Sequence, residues 1–252
     1  MTDRLWDIFF DIHSGLPRQG PGDDESTRRA LAACDGLPDG PAICDIGCGP
    51  GMQTLALAEA LSDAGIVAVD FHQPYLDDLA ERAQRAGCAE RIELCCADMA
   101  DLPFDAARFD LIWSEGAAYV IGVDAALDAW RPLLRSRACL AFTELVWLTS
   151  DPPDEAAAFF AEEYPAMRGA DAVAAGVEAK GYEMLGRFTL PDAAWWKHYY
   201  TPLAARLLEL EKKYAGDAEA LGMIATSERE IEIRRRFGNS YGYEFLVARK
   251  AS

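Results

Sequence analysis

The segment ICDIGCGPGM, residues 43–52, carries three glycines directly after a short apolar run that contains an acid. Gly47 and Gly49 lack side chains, so a ligand could approach the backbone closely at these positions. The helix predicted to begin near Met52 would present free backbone N–H groups to such a ligand. A Gly-x-Gly-x-Gly run alone is also compatible with a tight strand-to-helix turn that binds nothing.

Two acidic positions beyond the glycine loop indicate what kind of ligand would fit it. Asp70 ends the next predicted strand, about 20 residues beyond the loop, where an acid can bind both hydroxyls of a ribose. Asp98 and the backbone N–H of Met99 follow the third predicted strand and could read an adenine edge. A lone acid at a strand end is otherwise a helix cap, but three sites at successive strand ends favour a nucleoside.

The spacing of the glycines argues against a dinucleotide. Dinucleotide-binding loops have the pattern Gly-x-Gly-x-x-Gly, whereas this loop has Gly-x-Gly-x-Gly. It also lacks a basic residue or a serine for a pyrophosphate, and Pro50 removes one N–H donor. The loop therefore suits a ligand with one nucleoside and no phosphates, with a nicotinamide-dependent oxidoreductase as an alternative.

Two further groups of residues could handle a second, reacting molecule. Glu115 and Tyr119 lie in WSEGAAY, after the fourth predicted strand, where a carboxylate could position a hydroxyl or an amine. The other group lies in DAAWWKHYYTP, residues 192–202, and comprises Trp195, Trp196, His198, Tyr199 and Tyr200. These rings could cage an amine, and His198 or a tyrosine could take a proton. The alternatives are a capping role for Glu115 and simple packing of a helical lid for the rings.

The composition restricts the possible partners. The chain has 252 residues, is 51% hydrophobic and has a formal net charge of −18, so it can bury a full core but repels nucleic acid and anionic membranes. Its seven cysteines have no metal-ligand spacing and are predicted to be reduced thiols of a cytoplasmic protein without a metal site. No signal peptide and no apolar run of ~18 residues is evident. We therefore expect a small-molecule partner, and the oligomeric state is not readable.

The elements that position these residues alternate between strands and helices. Strands are predicted at 42–46, 65–70, 91–99, 109–114 and 138–145, with helices between them at 52–61, 74–87 and 123–134. This βαβ rhythm predicts a doubly wound, Rossmann-like, mostly parallel sheet of the α/β class. We predict one domain over residues 1–252, with a core at about 23–150, 181–190 and 242–250, an N-terminal lid at 1–22 and α-helical cap segments at about 151–180 and 191–240.

Four motifs in order, CDIGCGPG, VAVDFHQPYL, CADMADLPF and FDLIWSEGAAY, resemble those of class I S-adenosylmethionine-dependent methyltransferases, more narrowly their small-molecule branch. The resemblance is firm over residues 40–145. Outside that span, RQGPG at 18–22 and WWKHYYTP at 195–202 resemble a bacterial subgroup of these enzymes. The resemblance implies a seven-stranded sheet whose last two strands form an antiparallel edge, with a helical cap inserted late in the chain.

The resemblance also implies roles for single residues. Asp45 would help hold the amino group of S-adenosylmethionine, Phe71 would lie beside its adenine, and Ser114 would lie near its sulfonium. The complete cofactor site predicted in this way comprises Gln19, Gly20, Asp45, Gly47, Cys48, Gly49, Asp70, Phe71, Asp98, Met99, Ser114 and Glu115. The predicted acceptor site comprises Tyr119, Trp195, His198, Tyr199 and Tyr200, with Glu115, Tyr119 and His198 as catalytic candidates.

The predicted reaction moves a methyl group from S-adenosylmethionine to a small-molecule acceptor and yields S-adenosylhomocysteine. Cofactor binding is expected to survive loss of Glu115 and to weaken sharply in Asp70→Ala. A cofactor-binding protein without catalysis is a further alternative, and nitrogen, oxygen, sulfur and carbon acceptors all stay open.

Three segments outside the main motifs also have expected roles. RQGPG is predicted to fold over the cofactor, or else to be a surface linker. His13 is predicted to lie at the surface. The last helix is predicted to present a solvated face with the i,i+4 pairs Glu230–Arg234 and Glu232–Arg236.

Overall fold

The computed structural model describes residues 2–251, so the predicted domain limits Met1 and Ser252 lie outside it. Within the described residues eight strands form one sheet: β1 (Ala42–Ile46), β2 (Gly65–Asp70), β3 (Ile92–Cys96), β4 (Phe109–Glu115), β5 (Leu134–Trp147), β6 (Arg168–Gly169), β7 (Tyr182–Thr189) and β8 (Tyr241–Lys250). Their order is β3-β2-β1-β4-β5-β8-β7, with β6 beside β5. Strands β1 to β5 are parallel, and β8 runs antiparallel to β5 and β7. The predicted Rossmann-like α/β sheet is confirmed, and the two-residue β6 is an additional strand.

The described helices follow the strands in the expected alternation and then accumulate after β5. They are α1 (Asp3–His13), α2 (Asp24–Ala32), α3 (Met52–Ala60), α4 (Gln73–Ala86), α5 (Val123–Trp130), α6 (Asp154–Glu163), α7 (Ala170–Ala179), α8 (Ala193–Trp195), α9 (Thr201–Lys213) and α10 (Ala218–Phe237). A π-helical turn, Trp196–Tyr200, joins α8 to α9. Short polar side chains start two helices: the carboxylate of Asp23 accepts from Ser26 N at 2.7 Å, and that of Asp217 accepts from Ala220 N at 3.2 Å.

The central strands are apolar because helices cover both faces of the sheet. Along β1, Ile43 packs in an apolar cluster with Leu57 of α3, whereas Cys44 packs in another cluster with Leu127 of α5 and Val177 of α7. Successive side chains of a strand point to opposite faces, so β1 must be apolar at consecutive positions. This arrangement aligns the carboxyl ends of β1, β2 and β4 at one edge of the sheet.

A third apolar cluster covers that edge and joins the two ends of the chain. It unites α1, α6, the segment from α8 to α9, and α10, with Ile12, Phe160, Trp195 and Ile231 among its buried members. Helix α7 does not take part: Val173 and Val177 pack with the sheet. Within the predicted cap segment 151–180, α6 together with Tyr164 and Met167 packs in the cap cluster, whereas α7 packs on the sheet, so the cap part of this segment ends before α7.

No helix of residues 2–251 is long and apolar enough to cross a membrane. The seven cysteines are all free thiols.

Candidate active site

A cavity of about 420 Å³ lies at the carboxyl ends of the parallel strands. The turns after β1, β2 and β4 line it, together with the segment after β3 that contains Asp98. Trp6, Phe9 and Phe10 of α1 line it from the opposite side. Phe10 also stacks on His72, at a ring separation of 3.5 Å, so α1 rests directly on the turn after β2. We call this space the first cavity.

The glycine loop forms one wall of the first cavity and is held by Asp70. The Oδ2 atom of Asp70 accepts a hydrogen bond from Gly49 N at 2.9 Å, and Oδ1 accepts one from His72 N at 2.9 Å. Burial raises the pKa of this carboxyl group above its ordinary value. Gly47 has a φ of 71°, and a Cβ atom there would lie 2.3 Å from that of Ala117. Only glycine fits this position, because the turn after β4 closes on it.

Two predicted cofactor residues lie behind this wall rather than on it. Asp45 of β1 and Ser114 of β4 are fully buried and do not line the first cavity. Thr54 donates a hydrogen bond to Asp45 Oδ2 at 2.5 Å, and burial raises the pKa of Asp45 to about 7. The structure thus does not place either side chain on the cavity surface, although Asp45 Oδ1 and Ser114 Oγ have no hydrogen-bond partner among the described residues. Their predicted roles at the amino group and near the sulfonium stay predictions.

Residues 14–23, which we call the strap, lie over the first cavity. Arg18 forms an ion pair with Glu115, and both side chains are at most 4% exposed. Glu115 Oε1 also accepts hydrogen bonds from Thr27 Oγ1 at 2.7 Å and from Trp113 Nε1 at 2.8 Å. Glu115 lines the cavity that contains the other predicted cofactor residues, but its carboxylate already accepts hydrogen bonds from three protein donors. These contacts favour a positioning role for Glu115, which fixes the strap, over the predicted catalytic role.

The polar groups that the strap leaves unpartnered fit S-adenosylmethionine. Arg18 Nη1 and Gln19 Nε2 are buried atoms without a hydrogen-bond partner among the described residues, and both side chains line the first cavity. Donors of this kind suit the carboxylate of a methionyl group. Asp70 and Asp98, which is exposed on the same wall, suit ribose and adenine hydroxyl and amino groups. Of the predicted cofactor residues, those that line the cavity are Gln19, Gly20, Gly47, Cys48, Gly49, Asp70, Phe71, Asp98, Met99 and Glu115.

A second cavity, of about 480 Å³, lies under the helical cap and shares a wall with the first. Residues from α1, α6, α8, α10 and β8 line it. The residues that line both cavities are Phe9, Gln19, Gly20, Pro21, Gly116 and Tyr119. The strap and the turn after β4 therefore form the boundary across which two bound molecules would meet.

His13 lies in the second cavity, and the expectation that it is a surface residue is wrong. It is 7% exposed, because α1 packs against the cap. Its Nδ1 atom is 2.8 Å from the carbonyl oxygen of Phe9, and a carbonyl can only accept, so Nδ1 carries the proton. Its Nε2 atom is left as an acceptor, 3.5 Å from the hydroxyl of Tyr199. Burial lowers the pKa of His13, which keeps the ring neutral at neutral pH.

Glu230 is a second residue of this cavity that the sequence pattern did not reveal. Its Oε1 atom accepts a hydrogen bond from the hydroxyl of Tyr200 at 2.7 Å, and burial raises its pKa. Arg234, the predicted partner, is 5% exposed and pairs instead with Asp192 at 2.9 Å. Arg236 pairs with Glu155 at 2.6 Å. Neither predicted i,i+4 pair forms: Glu230 and Arg234 face the cap, whereas Glu232 and Arg236 are exposed, so the predicted solvated face is found only at the second pair.

The predicted acceptor residues divide between the cavity and the cap surface. Tyr119, Trp195, Tyr199 and Tyr200 line the second cavity. His198 lines neither described cavity and is partly exposed. Its backbone lies in the π-helical turn, one position before the buried Tyr199, which directs it away from the cap interior. This position does not favour the predicted role of His198 as a base.

The central region of the chain, which contains the glycine loop, is similar to known methyltransferases. Residues 43–137 match a family model described as a methyltransferase domain. The chain is 26% identical over 275 residues to 27-O-demethylrifamycin SV methyltransferase of Amycolatopsis mediterranei (strain S699), covering 99% of this chain and 93% of that relative. A shorter stretch, 33% of this chain and 28% of the relative, is 33% identical to erythromycin 3''-O-methyltransferase of Saccharopolyspora erythraea. A solved structure, the SAM-dependent methyltransferase from Geobacter sulfurreducens with S-adenosyl-L-homocysteine, is similar with a TM-score of 0.81 at 18% identity, over 96% of this chain and 97% of that chain.

The fold is that of a Rossmann-like enzyme with a cavity at the strand ends beside its glycine loop. The domain match, which spans the glycine loop and the turn after β4, makes this more specific. The chain therefore contains a methyltransferase domain, and the predicted S-adenosylmethionine-dependent methyl transfer to a small-molecule acceptor is confirmed at this level.

Proposed function

We propose that the first cavity binds S-adenosylmethionine and that the second cavity binds the acceptor that receives its methyl group. The observation that carries this proposal is the shared wall: six residues line both cavities, so molecules in the two cavities would adjoin. Methyl transfer is an in-line displacement, which requires that donor and acceptor be aligned and in contact. Gly116 supports this arrangement, because it lies in the shared wall without a side chain.

The strap and the strand-end turns would contact different parts of the cofactor. We infer that Arg18 and Gln19 hold the methionyl carboxylate, that Asp70 holds the ribose, and that Asp98 with the backbone of Met99 reads the adenine. When bound, S-adenosylmethionine supplies a methyl group that its positively charged sulfur already activates. Helix α1 and the strap then exclude water from the reacting groups, since both lie over the first cavity.

His13 is the group of this chain best placed to receive a proton from the acceptor. Its neutral ring, the proton fixed on Nδ1 and the open acceptor atom Nε2 are the properties that a general base needs. The hydroxyl of Tyr199 is 3.5 Å from Nε2, a weak contact that an acceptor hydroxyl or amine could replace. Tyr119, Tyr199, Tyr200 and Trp195 would form the walls around that acceptor.

We also propose a cytoplasmic enzyme without a nucleic-acid partner, and membership in the bacterial subgroup marked by the RQGPG strap. The free thiols support a reducing compartment, and the net charge of −18 would repel nucleic acid.

The two-cavity proposal is tested by filling the second cavity alone. Thr226 of α10 lines that cavity, so Thr226→Trp should block the acceptor while leaving the affinity for S-adenosylhomocysteine unchanged. The assay supplies S-adenosylmethionine with a deuterated methyl group and a bacterial metabolite extract, and mass spectrometry measures the labelled product. Calorimetry measures binding of S-adenosylhomocysteine in parallel.

The neighbouring Ala225 is exposed on the same helix, so Ala225→Trp is the matched control and should retain product formation. Undiminished product from Thr226→Trp would show that the acceptor binds elsewhere. For the base, His13→Asn should reduce kcat while S-adenosylhomocysteine affinity is kept, and an unchanged kcat with an unchanged pH profile would remove His13 from the reaction.

A further inference from the structure

We propose that the acceptor carries a positively charged ammonium group, which the second cavity recognises through Glu230 and its surrounding aromatic rings. This inference rests on the proposed function, because it assigns a chemical class to the occupant of the acceptor cavity. It rests on three observations: the charges of the lining, the state of Glu230 and the composition of the walls.

The lining of the second cavity is acidic and contains no lysine or arginine among the described residues. Glu230 lies within it, and Glu163 lies at its edge as an exposed side chain. His13, the one basic residue in the lining, is held neutral by burial. An anionic acceptor would therefore be repelled by the carboxylates of the lining, whereas a cationic acceptor would supply the positive charge that the lining lacks.

Glu230 has no cationic partner within the described residues, although its helix is rich in arginine. Arg229 and Arg236 both form ion pairs with Glu155. Arg234 forms an ion pair with Asp192, and its guanidinium lies 3.9 Å from the ring centroid of Trp195. A single hydrogen bond from Tyr200 is the polar contact that Glu230 receives. Burial without a counter-ion disfavours the ionised form of Glu230 and raises its pKa, so a cationic ligand in this cavity would supply the missing counter-ion and favour the carboxylate.

The walls of the cavity suit the organic part of an ammonium ion. Ten of the 22 lining residues are aromatic, and six of these ten are tyrosines: Tyr119, Tyr164, Tyr199, Tyr200, Tyr241 and Tyr243. Tyrosine faces attract alkylammonium groups, and the attraction grows where water is excluded. Tyr199 and Tyr200 lie with ring centroids 5.0 Å apart beside Glu230, which gives one corner of the cavity both rings and charge.

A neutral, hydroxyl-rich acceptor is the competing occupant, since tyrosines and glutamates also bind hydroxyl groups. Two probes of the same shape distinguish the two: choline, which is cationic, and 3,3-dimethylbutan-1-ol, in which a carbon replaces the nitrogen. Choline cannot accept a further methyl group on nitrogen, so it reports binding without turnover at that atom. Calorimetry of the full-length protein saturated with S-adenosylhomocysteine measures the affinity for each probe.

Wild-type protein should bind choline about tenfold or more tightly than its neutral counterpart. Glu230→Gln should reduce that preference to about twofold or less while S-adenosylhomocysteine binds as before, which also shows that the variant is folded. Glu228→Gln removes a charge from an exposed position of the same helix and should keep the full preference.

Equal affinity of the wild type for both probes overturns the proposal, and so does a preference that survives in Glu230→Gln. Such a failure is separate from failure of the two-cavity function, which the labelled product of Thr226→Trp reports without reference to charge.

Discussion

Replacing Glu115 by glutamine should release the strap and weaken cofactor binding. The amide keeps the shape of the side chain and can still accept a hydrogen bond from Thr27 or Trp113, but it no longer neutralises Arg18. The guanidinium is 4% exposed on its side chain, so the variant leaves a buried charge without its counter-ion.

The magnitude follows from two competing free energies. Removing one partner of a buried ion pair costs about 3–5 kcal/mol if the remaining charge stays buried. Arg18 lies in a loop, however, and can reach water if the strap opens and gives up its other hydrogen bonds, each of about 0.5–1.5 kcal/mol. Four such bonds hold the strap: Gly22 N to Ala194 O, Arg82 to the carbonyl groups of Leu16 and Pro17, and Tyr75 to Gln19 Oε1. The two routes cost similar amounts, so we expect about 3 kcal/mol, or about a 100-fold higher Kd for S-adenosylhomocysteine.

Calorimetric titration with S-adenosylhomocysteine measures this effect. Glu59→Gln is the matched control, because Glu59 pairs with Arg28 at the surface with 71% of its side chain exposed, and its loss should change the Kd less than about twofold. A Kd for Glu115→Gln within about twofold of the wild type would refute the positioning role. Unchanged binding with lost kcat would instead restore Glu115 as a catalytic residue. The expectation that cofactor binding survives loss of Glu115 is thus revised, since the structure pairs it with the strap.

Three further perturbations test the first cavity and its support. Asp70→Ala removes the ribose acceptor and the brace on Gly49, so the Kd for S-adenosylhomocysteine should rise about 10- to 100-fold, and an unchanged Kd in calorimetry contradicts the site. Gly51→Ala places a Cβ 2.1 Å from Leu79 Cδ1 at a φ of 82°, and should lower the free energy of unfolding by about 1–3 kcal/mol; an unaltered urea midpoint contradicts this. The folded-state pKa of Asp45, about 7, lies above its ordinary 3.8, so the native state holds the extra proton and the wild type loses stability as pH rises between these values. Asp45→Asn should remove that loss, which amounts to up to about 4 kcal/mol at pH 8. Urea unfolding of both proteins across this pH range measures it, and an equal pH dependence of the two free energies of unfolding contradicts the prediction.

The cofactor side of the molecule was predictable because its signals are local. Strands β1, β2 and β4 are apolar runs that end at an acid or directly before a glycine, and the edge where these ends meet follows from parallel pairing alone. Gly47, Asp70 and Asp98 therefore came together as expected around one cavity. The burial of Asp45 and Ser114 was harder to predict, because both residues precede the last residue of their strand and the exact strand end decides whether they are covered.

The acceptor side depends on long-range packing that the sequence shows only faintly. His13 follows Phe9 by one helical turn, and its burial arises because α1 packs against α9 and α10, nearly two hundred positions later in the sequence. The charges of α10 resembled a solvated face, since Glu230 and Arg234 have ion-pair spacing. A fainter signal was present: Met223, Ser227 and Glu230 lie on one stripe at helical spacing, and all three line the second cavity.

The division between the two cavities also explains why the family match identifies the reaction but not the acceptor. The matched residues 43–137 supply most of the strand-end wall of the first cavity but only Gly116 and Tyr119 of the second. The other lining residues of the second cavity come from α1, the strap, the late helices and the strands β5 and β8. These parts can change without altering the glycine loop or Asp70, so one cofactor site can serve acceptors of different chemistry. Under the proposed function, acceptor specificity lies outside the matched domain, and Glu230, a carboxylate without a counter-ion among residues 2–251, is the most informative position at which to begin.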